Sequence, residues 1–372
     1  MRKHIASHAA IRGIAAMMVI AYHLREGALY LSPRLVPSPF LDRGYLWVDL
    51  FFVLSGFIIT YTAAPNGAPL NWSDTKRFWT ARATRIYPLH LFCTAMFVLL
   101  ALVNLYFDLR GGRELDPLWS WQGLFRLVQE MLLVQSVNAP GFHPLNAVSW
   151  SISAEMFAYA FFPVMLLVAR RRWGMPFMLV LSLLFYSTIL LRHGTLHIPY
   201  GLSPLRCLAA FVIGQAICLH RESWASLSDK AANTLQLGAI AAILAIMALP
   251  VNDVFVIAPF AVLVGASWTD RGAIGAIFQS RPLQFLGETS YSIYLMHWWT
   301  LMAINFLWIR TVLKLDLPYA VQQASWMIAV PVCAIPVAAF TYRFIELPTR
   351  RHFKRRREAA RVRAEPAAQP AG

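Results

Sequence analysis

Arg12 and His23 stand eleven positions apart inside the first apolar stretch of the chain, Ile5 to Leu24. An α-helix turns through about 100° per residue, so this interval ends roughly 20° past three full turns and puts both side chains on one face. Along the helix axis they lie about 16 Å apart in a hydrocarbon layer about 30 Å thick, one reaching in from each side. An ionisable group at membrane depth is costly, so it faces a protein interior or a wet cavity and marks a substrate or ion path. The pattern predicts one wall of a reaction site that crosses much of a bilayer.

Other ionisable groups fall at overlapping depths. Asp49, in WVDLFFVLSGFII, sits near the outer end of the second apolar stretch, level with His23. A carboxylate that accepts from one imidazole nitrogen fixes the tautomer and leaves the other nitrogen as a base, so Asp49 and His23 form a candidate dyad. The bland alternative is a carboxylate at the water interface, solvated or paired with Arg43. Glu155, in SWSISAEMFAYAFFP, lies about two turns into the fourth stretch and is expected in the same half of the membrane as His23. His297, in TSYSIYLMHW, enters from the other side and reaches the middle or outer half, although one intramembrane histidine alone is more often a packing residue. Together His23, Asp49, Glu155 and His297 are harder to dismiss, because each uncompensated charge near the centre costs at least ~2.5 kcal/mol. A second, cytoplasmic group comprises Lys76, Arg77, Arg82 and Arg85 in KRFWTARATRIYP. Arg82 and Arg85 share a helix face at i, i+3 and could grip one phosphate, whereas Lys76 and Arg77 also fit an ordinary solvated basic face.

The elements that must hold these groups are read from composition. Of 372 residues, 58% are hydrophobic and 14% charged, and the mean hydropathy is +0.52. That much apolar surface excludes a soluble protein and predicts an all-α, polytopic membrane protein. Apolar windows of about 20 residues predict ten spans, near 6–25, 45–64, 88–108, 148–169, 175–191, 200–219, 232–250, 252–268, 286–309 and 323–345. The fifth and eighth look short. The net charge of +15 is concentrated in MRKH, TKRFWTARATR, RRRW and RRHFKRRR. With ten spans and a cytoplasmic amino terminus, every one of these clusters falls inside and both termini share that side. The clusters are those of membrane topology, and no nucleic-acid partner is expected. Arg12 interrupts the first apolar run and no small-x-small site follows, against a cleaved signal peptide. Cys93, Cys207, Cys218 and Cys333 have no paired spacing and read as small buried hydrophobes. Within the long outer connection 109–147, LFRLVQEMLLVQS repeats apolar residues at helical spacing beside Trp119 and Trp121. That suits a helix in the membrane interface, either roofing an outward-facing pocket or simply resting on lipid. Residues 1–350 read as one integral-membrane domain, and 351–372 as a basic, disordered cytoplasmic tail. No metal-ligand cluster, nucleotide-binding glycine loop or internal repeat stands out.

From residue 5 to 350 the chain resembles the membrane acyltransferase 3 family of bacterial sugar O-acyltransferases. The resemblance rests on Arg12 and His23 in Arg-x10-His, VDLFFVLSGF at Val48 to Phe57, and Arg82-x-x-Arg85 followed by Ile86 and Pro88. SWSISAE ending at Glu155, SYSIYLMH ending at His297 and YRFIELP at 342–348 complete the series. The resemblance implies transfer of an acyl group, commonly acetyl, from cytoplasmic acyl-coenzyme A to a hydroxyl of a glycan across the inner membrane. Arg82 and Arg85 are then expected to anchor the donor phosphates, Arg12 and His297 to hold the donor, and His23 with Asp49 or Glu155 to catalyse. His23 acts either as a general base or through an acyl-histidine. Some relatives carry a fused extracytoplasmic hydrolase-like domain, so this stretch is expected to use the membrane core alone or a polysaccharide-assembly partner. O-antigen, exopolysaccharide, a lipid-linked sugar and a secreted small molecule all remain open as acceptors. Glu346 is read as structural, paired with Arg343 or the basic loop. A glycan transporter or flippase is the competing reading, although such proteins often show inverted repeats and paired broken helices, and no repeat pattern is found here.

Overall fold

Apolar runs far longer than a strand dictate helices, and the computed structural model describes them over residues 4–31, 38–64, 66–111, 117–138, 144–315 and 317–364. In chain order they are α1 (Ala6–Leu31), α2 (Pro39–Asp42), α3 (Trp47–Ala63), α4 (Trp72–Gly111) and α5 (Trp121–Met131). There follow α6 (Ser149–Ala169), α7 (Gly174–His193), α8 (Ser203–Leu219), α9 (Arg221–Ala225) and α10 (Asp229–Ala248). The last are α11 (Ile257–Ser267), α12 (Gly272–Phe278), α13 (Arg281–Arg310), α14 (Tyr319–Thr341) and α15 (Leu347–Ala364). No strand occurs among the described residues.

Each of the ten expected spans contains one of these helices, but ten crossings are not established. Among the described residues, six helical stretches are long and apolar enough to cross a membrane, and the apolar helices around α8 and α11 are shorter. Helices α1 and α13 have the length, at 26 and 30 residues, yet carry the polar groups of the site. The chain is a multi-pass membrane protein. Helix α4 runs unbroken through Pro88 for 40 residues, about 60 Å, so the basic segment expected before a span is instead its first turns. The tail expected to be disordered continues as α15 to Ala364, and residues 365–372 lie outside the described residues.

Two helix pairs pack backbone against backbone. A methyl group added at Gly13 of α1 would lie 2.7 Å from the Gly287 backbone nitrogen of α13, and Gly56 of α3 meets Phe211 of α8 with as little room. Such small residues let helices approach where lipid offers no hydrophobic drive between them. Remote caps fix the ends. Asp270 accepts from the Ser7 and Ala6 amides at 2.7 and 3.3 Å, placing a carboxylate at the amino end of α1. Arg43 donates to the Ile246 and Leu249 carbonyls at the carboxyl end of α10, both at 2.8 Å.

Asp49 is wholly buried on α3, and its partner is Arg206 of α8, with Nε–Oδ1 2.9 Å and Nη2–Oδ2 2.5 Å. The guanidinium also donates to the Tyr45 carbonyl and lies over the Trp150 ring. This fork satisfies both carboxylate oxygens, as a buried pair requires. Arg206→Ala should therefore destabilise the protein by about 3–5 kcal/mol, the cost of a buried charge left unpaired. Thermal unfolding in detergent checks this, and removing both charges together should recover most of the loss; an unchanged melting temperature in Arg206→Ala would contradict it.

Helix α5 exposes Trp121, Leu124, Phe125 and Val128 and buries Glu130. The expected helix is thus present, with an exposed apolar face, though it stops at Met131, shortly before Leu133 takes a left-handed conformation. Glu130 accepts from the Leu145 and Asn146 amides at 2.8 and 3.0 Å, tying α5 to the segment that starts α6. Burial pushes its carboxyl from the ordinary 4.5 up to about 7, against those two donors. Between these values the folded chain keeps a proton that the unfolded chain has lost, so this stabilisation is full below 4.5 and declines as pH rises to 7. Glu130→Gln should flatten that part of the stability curve; parallel curves for the two proteins, measured by thermal unfolding, would refute the assignment.

Candidate active site

Arg12 and His23 leave one face of α1 for two different cavities. The first, of about 150 Å³, is lined by Arg12, Ser55, Arg82, Arg85, Glu155 and Tyr291 among others. The second, of about 680 Å³, is lined by Tyr22, His23, Glu26, His197, Trp150 and Trp298 among others. Val48 and Tyr294 belong to both. The single shaft expected from the sequence is therefore two chambers with a common wall. Tyr294 is held there by its hydroxyl, 2.7 Å from Ser151 Oγ and 3.2 Å from the Val148 carbonyl.

In the larger cavity His23 is paired with Glu26, not with Asp49. Its Nδ1 lies 3.0 Å from Glu26 Oε2, and an ionised carboxylate only accepts, so Nδ1 carries a proton and, in the neutral ring, Nε2 is the nitrogen with the lone pair. Tyr22 donates its hydroxyl to Glu26 Oε1 at 2.6 Å. Because that proton is committed, His197 Nε2–H is the donor across the 3.2 Å to Tyr22 Oη. Burial holds His197, in the loop after α7, below the usual histidine range, which keeps it neutral. Tyr45 stacks on His197 at 4.5 Å and donates to Asp253 at 2.8 Å, continuing the chain of contacts. His297 stacks on the other side of His23, with ring centroids 5.4 Å apart. Its Nδ1–H donates to the Ile293 carbonyl, while Nε2 is buried without a partner.

In the smaller cavity three arginines converge. Arg12 donates to the Gly287 carbonyl at 3.1 Å. Arg85 is ion-paired with buried Glu346, which also accepts from Ser292 at 2.8 Å and lies 3.4 Å from Arg350. The backbone makes one π-turn at Tyr342–Glu346, and that turn delivers Glu346 to this position. Glu346 thus orients a site arginine: of the two partners expected for it, the basic segment takes it through Arg85 and Arg343 does not. Lys76 lies over Trp72 and Arg77 pairs with Asp74 on the exposed side, a solvated face.

Of the residues singled out in the sequence, Arg12, Arg82, Arg85 and Glu155 meet in one cavity and His23 with His297 beside the other. Two placements differ from expectation. Glu155 accepts from Ser55, six positions and about 9 Å along α3 from Asp49, so it lies with the arginines and away from His23. Asp49 belongs to Arg206. Sequence reasoning passed over Glu26 because it stands just beyond the apolar stretch, although i, i+3 spacing from His23 marks it as a partner. Arg206 was equally visible as the lone charge in the stretch 200–219.

A family model for an acyltransferase domain, Acyl_transf_3, matches residues 8–343. The chain belongs to the acyltransferase 3 family. Within it, the chain is 27% identical to YrhL of Bacillus subtilis over 93% of its own length. It is 26% identical over 94% to the peptidoglycan O-acetyltransferase OatA of Listeria monocytogenes, and 24% identical over 92% to the O-acetyltransferase OatA of Staphylococcus aureus. The chain spans about half the length of these curated relatives, 55–56%. No solved structure matches it.

The Glu26 contact selects which ring nitrogen of neutral His23 carries the proton. With histidine nitrogen labelling, the His23 resonances should report the Nδ1–H tautomer in this acyltransferase 3 protein. Glu26→Gln should release it to a tautomer mixture; an Nε2–H signal in the unaltered protein would overturn the geometry.

Proposed function

We propose that this chain is an O-acyltransferase that moves an acyl group, acetyl by analogy with its relatives, from acyl-coenzyme A to a glycan hydroxyl across the inner membrane. The observation that carries this is the wall common to the two cavities: arginines stand on one side of Val48 and Tyr294, and a tautomerically fixed imidazole on the other. Arg82 and Arg85 hold the donor's phosphates from the cytoplasmic side, Arg85 aimed by Glu346. Arg12, deeper in the same cavity, holds the donor arm, and the arm threads past Tyr294 to bring the thioester to His23.

His23 Nε2 takes the proton of the acceptor hydroxyl as that oxygen attacks the thioester carbon. The carbon–sulfur bond then breaks, and the thiolate recovers the proton from the imidazolium, which Glu26 stabilises meanwhile. The aromatic lining of the larger cavity, Tyr22, Tyr45, Trp150 and Trp298, offers flat faces to a sugar ring, and the peptidoglycan named for the Listeria relative is one such acceptor. Pro144, Leu145 and Ala147, in the segment before α6, and Ile198 to Tyr200, after α7, border this cavity, which α5 itself does not line. Asp49, committed to Arg206, takes no chemical part, and Glu155 serves the donor cavity.

Transfer of labelled acetyl from acetyl-coenzyme A to a glycan, with the protein in liposomes, tests the reading. His23→Ala should lower the rate at least 10²-fold, the lower end of what general-base catalysis supplies. Arg82→Ala and Arg85→Lys should instead raise the KM for the donor and leave that for the acceptor unchanged. Full activity in His23→Ala, or an unaltered donor KM in both arginine variants, would contradict it.

A further inference from the structure

A third cavity, of about 540 Å³, lies beneath α5 between α4 and α13 and is used by none of the chemistry above. Its walls are Phe97 and Leu100 of α4, Leu127 of α5, and Phe306 and Ile309 of α13. Two cations, Arg126 of α5 and Arg310 of α13, line the same space. Arg310 is braced there, with its guanidinium 3.6 Å from the Phe306 ring centroid and 5.1 Å from that of Phe107, and with one N–H on the Phe306 carbonyl. The acid in the lining, Glu130, is turned to the Leu145 and Asn146 amides. Pro144, Leu145 and Met302 line both this cavity and the one that holds His23.

The geometry points to a binding site for a phosphate-linked lipid that carries the acceptor sugar. The exposed apolar face of α5 sets the helix in the membrane interface, the level at which lipid phosphates lie. Two arginines at that level match a phosphate or diphosphate, since the guanidinium fork suits its oxygens. The cavity is larger than a phosphate needs, and its apolar walls on α4 and α13 suit the start of a hydrocarbon chain. The shared residues Pro144, Leu145 and Met302 set the neighbouring chamber within reach of whatever the phosphate bears. A sugar attached to this lipid would therefore lie toward His23 while its chain remained in the bilayer. The sugar's fate rests on the transferase reading; the lipid site does not.

Binding of polyprenyl phosphate to the full chain in phosphatidylcholine nanodiscs, followed by native mass spectrometry, is the test. The probe carries no sugar, so failure of the transferase reading would leave this result standing. Arg126→Gln combined with Arg310→Gln should weaken binding at least tenfold, and Asn305→Trp, which fills the cavity, should do the same with an unchanged melting temperature. His23→Ala should bind as the unaltered protein does. Phosphatidylglycerol in equal amount should fail to displace the probe. Unchanged binding in the double arginine variant, or equal displacement by phosphatidylglycerol, would overturn the proposal, the latter marking a boundary site for ordinary anionic lipid.

Discussion

An ionised side chain removed from water must be compensated, and this constraint sorts the buried charges described above. Asp49 and Arg206 satisfy each other completely and so tie α3 to α8. Glu346 is nearly as buried and spends its charge on Arg85, Arg350 and Ser292, which fixes the direction of an arginine that also lines a cavity. His23 and Glu26 stand at the other end of the scale, partly exposed and open to the larger chamber. The ion pair with a complete set of partners holds the fold, and His23, with one nitrogen beyond its Glu26 contact, lines a chamber.

The division into two chambers follows from how the helices approach. Glycine contacts draw α1 against α13 and α3 against α8, leaving α6 and α4 to close the space between. Tyr294 of α13 and Val48 of α3 fill the waist, and the Ser151 hydroxyl of α6 pins the tyrosine. A bundle built this way separates a cationic chamber from an aromatic one while keeping them one side chain apart. Under the proposed function, that arrangement would let a charged donor and a carbohydrate acceptor remain each in its own solvent while their reacting atoms meet.

Much of this was legible in the sequence because membrane burial leaves few charges, and each is conspicuous. The apolar windows located the helices, and the eleven-residue interval put Arg12 and His23 on one face of α1. The resemblance named the right family. What failed was pairing across helices. Depth estimated from span ends set Asp49 and Glu155 beside His23, but side-chain direction and the α3–α8 register decide contacts, and neither is encoded in hydropathy. Arg206 drew Asp49 away, and the local partner at i+3, Glu26, replaced it. The π-turn that presents Glu346 has no hydropathy signature either, although its pairing with the basic segment, at Arg85, was expected. Among the described residues six helical stretches, not ten, meet the length and apolarity of a crossing, because α1 and α13 trade apolar residues for the polar groups beside the cavities and α8 and α11 are short.

The central claim is that a donor held by arginines in one chamber delivers its acyl carbon past Tyr294 to the imidazole in the other. Electron cryomicroscopy of the chain bound to a non-transferable acetyl-coenzyme A analogue tests it most directly. The account predicts nucleotide phosphates against Arg82 and Arg85, the arm running along Arg12, and the acyl carbonyl beside His23 Nε2. Phosphates bound elsewhere, or an arm that ends in the arginine chamber with Tyr294 closed above it, would contradict it.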